Sequence, residues 1–306
     1  MMKHLVCILI LSSQWCLAQP RQVAVTIDDV PNVNVFQRDK FRSILLERIE
    51  KLNIPVAIFI NEKNIYNTAF VEENIACLKR WLTSNIVTPG NHSFSHINYA
   101  DTTLESFQQD IIKGEKLTAE IIRRRPPYFR FPFNSLGNDS TSYAAIQNFL
   151  TIQGYIHAPF TIESEDWAFN ALYEDALQNR DADRAREIGQ QYVIHTMNLF
   201  HHFETLCKNL FGRNIRHIYL CHDNQLNRDY LPALITELDK SGYSFISLEQ
   251  ALDDIVYQST EYYIGRYGFS WIYRWEKDQD KRKAMMRGEP VDESLHVEYQ
   301  RLVNKK

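Results

Sequence analysis

Two adjacent carboxylates, two histidines four residues apart, an arginine after an apolar stretch and a histidine after another could do chemistry together in this chain. The carboxylates are Asp28 and Asp29, in Thr26-Ile27-Asp28-Asp29-Val30-Pro31. Side by side behind an apolar run they repel one another, unless a cation or a base shares them. A helix cap or a turn before Pro31 is the plainer alternative. The histidines are His92 and His96, in Gly90-Asn91-His92-Ser93-Phe94-Ser95-His96. A spacing of four on a helical turn presents both imidazoles to one ion. With one carboxylate they complete an Asp-His-His set with open coordination positions, a set that would also suit ferrous iron in an oxygenase. Arg130 stands in Arg130-Phe131-Pro132-Phe133, where a guanidinium needs a buried carboxylate. His222 ends Ile218-Tyr219-Leu220-Cys221-His222; strand alternation puts Leu220 and His222 on one face and Cys221 on the other. A core histidine satisfied by its neighbours is the alternative there. Glu163-Ser164-Glu165-Asp166-Trp167 sets three acids beside an indole, which an ordinary surface also does. Together these groups offer what hydrolysis of an unactivated amide needs. A cation makes water a nucleophile, a carboxylate takes its proton, and a separate acid protonates the leaving nitrogen.

The elements that must position these residues alternate. Apolar, β-branched runs predict strands at 23–27, 55–60, 86–87, 128–131, 154–158, 216–221 and 243–246. Helical spacing covers 37–52, 71–83, 102–123, 140–150, 183–210, 230–240 and 248–256. Such alternation builds βαβ units and a mainly parallel sheet. About seven units favour a barrel over an open sheet, with chemistry at the C-terminal strand ends. No repeat or Gly/Ser-rich linker divides the chain. Residues 19–306 therefore read as one catalytic domain, with a helical insertion at 171–213 and a C-terminal extension after Tyr262.

In order and rough spacing the clusters resemble the polysaccharide deacetylase family (carbohydrate esterase family four). Its pattern runs T-F-D-D-G-P, H-[ST]-x-x-H, R-x-P-[FY], D-x-x-D-W and L-x-H. Here the segments read T-I-D-D-V-P, H-S-F-S-H, R-F-P-F, E-S-E-D-W and L-C-H, over residues 22–254. The resemblance implies a distorted (β/α) barrel and a role for each group. Asp29, His92 and His96 would hold a divalent metal, usually zinc, with cobalt or nickel as alternatives. Asp28 would be the general base and Arg130 its partner; His222, oriented by Asp166, would protonate the leaving group. Phe133, Trp167 and Leu220 would wall an acetyl pocket, with the Phe133 N–H on the oxyanion. Three positions depart from the pattern: Val30 and Asn134 stand where glycine is usual, and Glu163 where aspartate is.

The remaining features set the context. Residues 1–18 read as a signal peptide: Lys3, an apolar run from Leu5 to Ile10, and small residues suiting cleavage after Ala18. The mature protein is then expected outside the cell or in the periplasm, with no transmembrane segment. A formal charge of −4 without a basic stripe argues against nucleic acid as a partner. Cys77, Cys207 and Cys221 remain after cleavage, too few for a disulfide-stapled scaffold. His195, His201 and His202 fit a solvated helix face better than a second metal site. His157 is open between core and cleft, and the aromatic tail from Tyr262 to Trp275 suits packing better than sugar stacking. The expected partner is an acetylated carbohydrate, N-acetylated as in chitin or peptidoglycan, with O-acetyl xylan as the alternative. A metal-binding carbohydrate-recognition protein without turnover, and a hydrolase of non-sugar amides, are the competing readings.

Overall fold

A computed structural model describes residues 20–304; the expected signal peptide lies outside them. Eight strands form one sheet: β1 (Arg21–Val30), β2 (Val56–Ile60), β3 (Val87–Asn91), β4 (Tyr128–Phe129), β5 (Ile156–His157), β6 (Ile162–Glu163), β7 (Arg216–His222) and β8 (Tyr243–Phe245). The order is β5-β4-β3-β2-β1-β7-β6, and every recorded pairing is parallel. Gln22 pairs with both Arg216 and Ser244, so β8 shares one edge of β1 with β2. The sheet curls into a half-barrel whose path ends at β5 and β6, as the alternation of strands and helices predicts.

Alternation along the central strands separates two apolar layers. Val23, Val25, Ile27, Val56, Ile58, Ile60, Tyr219 and Cys221 face outward onto helical residues such as Leu46, Leu78 and Trp81. Ala24, Ala57, Phe59, Ile218 and Leu220 face inward with Tyr99, Phe107, Phe129 and Phe131. Alanine at 24 and 57 leaves room for those rings. The same parity turns Thr26, Asp28 and His222 inward. The C-terminal end of the barrel thus receives its polar groups from the register of the core.

Several elements differ from expectation. The helix at 37–52 is two, Val33–Arg38 and Ile44–Leu52, separated by Lys40 and Phe41 in left-handed backbone (φ 56° and 60°). The helix at 102–123 breaks into Leu104–Lys113 and Lys116–Ile122. Between them, a Cβ on Gly114 would lie 2.5 Å from the backbone of Ser93 and Phe94, so the break seats the histidine loop. β3 runs to Asn91, longer than predicted, because Pro89-Gly90 reads as a turn. β6, two residues long, has too little pattern to detect. The insertion begins at Asp166, earlier than 171, as helices Asp166–Gln178 and Ala182–Phe211. The tail packs: Trp271 and Tyr273 are buried, and the Trp271 N–H donates to Phe160 O (3.0 Å) in the β5–β6 connection. No helix among the described residues is long and apolar enough to cross a membrane.

Candidate active site

β1 ends at the carboxylate pair, with Asp28 turned into the barrel and Asp29 in left-handed backbone (φ 63°). β3 delivers His92 at its C-terminal end. The helical turn expected for His92 and His96 is not what joins them. An irregular loop does, with Ser93 and His96 left-handed (φ 61° and 55°). Its polar neighbours explain how it holds. Asn61 Nδ2 donates to the carbonyls of His92 (2.5 Å) and Ser93 (3.1 Å). Asp110 accepts from Ser95 N (3.0 Å) and Oγ (2.7 Å), and His96 N donates to Ser93 Oγ (3.2 Å). Asn91 Oδ1 accepts from Ser93 N at 2.8 Å.

The loop brings one ligand atom each from Asp29, His92 and His96 within 4.8 Å of one another. His96 Nε2 lies 3.5 Å, and His92 Nε2 3.9 Å, from Asp29 Oδ1. His92 Nδ1 is 2.8 Å from Arg130 O, and a carbonyl only accepts, so Nδ1 carries the hydrogen and Nε2 keeps its lone pair for an ion. Burial first, then neighbouring His96, pushes His92 down to about 3, so the ring is neutral at pH 7. Two imidazole nitrogens and one carboxylate oxygen with open positions fit a divalent ion of the zinc, cobalt or nickel type.

Arg130, fully buried, spans the barrel interior. Its Nη1 donates to Asp28 Oδ1 (2.8 Å) and to Thr26 Oγ1 (2.7 Å), and Nε donates to Ala158 O (3.0 Å). The guanidinium also lies 4.2 Å from the centre of the Phe59 ring. Asp28 is buried, its other oxygen 3.6 Å from His92 Nε2. Glu163, which stands where the family pattern has aspartate, accepts from the Glu165 N–H (2.7 Å).

The adjacent strand carries the other half. β7 pairs with β1 so that Asp28 stands opposite His222. His222 Nδ1 is 2.7 Å from Asp166 Oδ1, and Asp166 Oδ2 accepts from His222 N (2.8 Å), Asn224 Nδ2 (2.9 Å) and Asn227 Nδ2 (2.5 Å). Burial opposes the imidazolium, but Asp166 with its hydrogen bond, and then Asp29 and Asp28, outweigh it and raise His222 to about 10. Burial likewise opposes the Asp166 carboxylate, and His222 with the surrounding donors holds it below its ordinary value. Of the expected pocket residues, Phe133 is half exposed and meets His96 edge-on at 4.6 Å. Trp167 is half exposed against Tyr299 (5.1 Å), and Leu220 is buried one turn of the pleat before His222.

Some residues stay apart. His157 packs between Phe131 (5.2 Å) and Trp271 (5.3 Å), His195 lies against Phe169, and His202 meets the Tyr273 hydroxyl. Cys221 points into the outer layer, as alternation requires. Thr26, Asn61, Asp110, Asn224 and Asn227 were not singled out by sequence. Their types are common, and only spatial proximity marks them.

Residues 18–151 match the family model described as polysaccharide deacetylase. Over those residues the chain resembles the polysaccharide deacetylase family. A peptidoglycan-N-acetylglucosamine deacetylase of Bacillus cereus is 25% identical over 146 residues, 48% of this chain and 46% of that one. The chain thus spans about half the length of that relative. Among solved structures, a carbohydrate esterase family-four pseudoenzyme of Bacillus anthracis superposes with a TM-score of 0.53 at 16% identity, covering 76% of this chain and 66% of that one. A peptidoglycan deacetylase of Bacillus subtilis gives 0.51 at 18% identity, covering 78% and 93%. These likenesses establish the fold. The matched stretch carries Asp28, Asp29, His92, His96 and Arg130, while Asp166 and His222 lie beyond it.

Proposed function

We propose that this protein is a metal-dependent hydrolase that removes acetyl groups from a carbohydrate, most simply an N-acetyl sugar of chitin or peptidoglycan type. One observation carries the reading. Two hydrogen-bonded charge pairs, Asp28 with Arg130 and His222 with Asp166, end neighbouring strands beside the Asp29-His92-His96 set. Binding alone would need neither pair. When bound, a divalent ion lowers the pKa of a nearby water and polarises the acetyl carbonyl.

The chain's own residues do the rest. Arg130 orients Asp28 through its hydrogen bond, so the carboxylate takes the proton of the attacking water as the new C–O bond forms. The Phe133 N–H is offered to the oxygen on which negative charge gathers. His222 then donates its Nε2 proton to the departing nitrogen as the C–N bond breaks, leaving acetate and a free amine. Its Nδ1, held by Asp166, fixes the ring for that transfer. Beside Asp29 and His96 lies a trough of about 440 Å³, lined by Asn32, Asn34, Asn61, Asn64, Asn67 and Thr68. Uncharged amides and a hydroxyl suit the hydroxyl and acetamido groups of a neutral sugar. Val30 has no positive φ that would call for glycine, and Asn134 adopts the left-handed φ (50°) that glycine would take, so both positions accommodate the residue present. The signal-like residues 1–18 fit work outside the cytoplasm.

The test is acetate release by metal-reconstituted protein from chito-oligosaccharides, peptidoglycan and acetylated xylan, beside Asp28→Asn. Release lost in the variant supports the mechanism, and the responding substrate names the class. Sugar binding with metal bound and no release from any of them would replace this reading by carbohydrate recognition.

A further inference from the structure

The turn that carries Phe133 is not held by its own sequence. Phe133 and Asn134 are consecutive left-handed residues (φ 56° and 50°), an unfavourable pair without glycine. Two local hydrogen bonds close the turn, Asn134 N to Phe131 O (2.9 Å) and Ser135 N to Pro132 O (3.2 Å). Three more come from the tail, more than 120 residues away in sequence. Gly268 N donates to Phe133 O (3.0 Å), Leu136 N donates to Gly265 O (3.3 Å), and Arg274 Nη2 donates to Asn134 O (2.9 Å).

Both tail residues look made for that contact. A Cβ on Gly268 would lie 2.1 Å from Asn134 Cβ and 2.9 Å from Phe133 O, so any side chain there displaces the turn. Arg274 is fully buried, its guanidinium 4.0 Å from the centre of the Trp271 ring. It donates to carbonyls, those of Phe269 (3.1 Å) and Tyr267 (3.4 Å) besides Asn134, and makes no ion pair among the described residues. A buried guanidinium bonded to carbonyls rather than to a carboxylate is costly. What it accomplishes here is to fix the backbone of two loops relative to one another.

We propose that Gly268 and Arg274 are positioning residues of the active site. They clamp the Phe133–Asn134 turn in the left-handed shape that sets the Phe133 ring on His96 and aims its N–H at the acetyl oxygen. The clamp stands on the contacts above; what the turn does rests on the deacetylase reading. Residues 265–274 are thereby part of the site, although they lie outside the stretch shared with the family model.

The experiment uses the full chain with Gly268→Ala, Arg274→Lys, and Gly268→Ala combined with Asn134→Gly. Hydrogen exchange of peptides covering 131–137 is read first, because it needs no substrate. Exchange there should quicken at least tenfold in both single variants while the β1, β2 and β7 peptides keep their protection. Acetate release is read second. Loss of an oxyanion donor's placement should lower kcat on the order of a hundredfold, with KM within about threefold. Asn134→Gly removes the 2.1 Å clash and the left-handed penalty, leaving the 2.9 Å approach to Phe133 O for the backbone to absorb, so it should restore kcat at least tenfold in the Gly268→Ala protein. Unchanged exchange at 131–137, a lowered melting point with kcat unaltered, or no rescue would each overturn the proposal. If Gly268→Ala does not fold, Arg274→Lys, which keeps charge and length, decides by the same two readings. If the unsubstituted protein releases no acetate, the hydrolase reading fails, while the exchange data still decide the clamp.

Discussion

Replacing Asp166 by asparagine removes one charge while keeping nearly the same shape. In the native site Asp166 accepts four hydrogen bonds, three at Oδ2 and one at Oδ1 from His222 Nδ1. An asparagine leaves its single oxygen where the three donors meet and turns its amide N–H toward Nδ1. That arrangement favours the neutral ring, so the imidazolium loses its support. His222 should fall from its raised value near 10 toward or below the ordinary 6.5, and the acid works only when protonated. At pH 8 a group titrating at 6.5 is protonated about one part in 30, so turnover should drop at least roughly 30-fold from protonation alone. A cation beside Asp29 offsets part of the carboxylate field, so the alkaline limb of the loaded protein lies below 10, yet the Asp166 contribution persists. The assay is acetate release from pH 5.5 to 10 for both proteins at saturating metal. The variant's alkaline limb should move down by about two to three units. Metal-free protein gives a second reading. His222 is raised in the folded state, so its stabilisation is full below about 6.5 and drains as pH rises through about 10. That slope should flatten in the variant. An alkaline limb at the same pH in both proteins would refute the assignment of His222 as the acid that Asp166 sustains.

Three other outcomes follow from the same geometry. Arg130→Met leaves Asp28 buried without its partner and should cost about 3–5 kcal/mol of unfolding free energy; adding Asp28→Leu should recover most of it in denaturant titrations. His92→Ala removes a ligand atom and the bond to Arg130 O, so zinc affinity in a competition titration should fall at least a hundredfold, with retained affinity showing that the ion sits elsewhere. Glu163 is raised to about 8 by burial and by neighbouring Asp166 and Glu165, so the stability it contributes is whole below about 4.5 and lost as pH climbs through 8; Glu163→Gln should flatten the fall in melting temperature between about pH 4.5 and 8.

The parts legible in sequence were those whose signal is local. β1, β2 and β7 are long apolar runs, and their alternation already placed His222 with Leu220 and opposite to Cys221. The helix breaks at Lys40 and Gly114 were invisible because both stretches keep helical periodicity, and it is packing that interrupts them. β6 was missed since two residues carry no period. The structure brings His92 and His96 together, but through an irregular loop and not the helical turn expected. The ligand spacing survives in an irregular loop because Asn61 and Asp110, from other elements, supply the hydrogen bonds a helix would have made.

What the sequence determined by itself was the kind of chemistry. Residue types at strand ends limit what can bind an ion, take a proton or give one, and those types are present whatever the fold does with them. Only the tertiary structure decided which groups act on which. It set Asp166 beneath His222 and put Arg130 across the barrel onto Asp28, pairs that the residues implied only through the family resemblance, and it brought residues 265–274 to the Phe133 turn. The physical reason is range. Apolar periodicity is written between neighbours in the chain, whereas hydrogen bonds and charge pairing act over a few ångströms of space, and folding alone supplies that proximity.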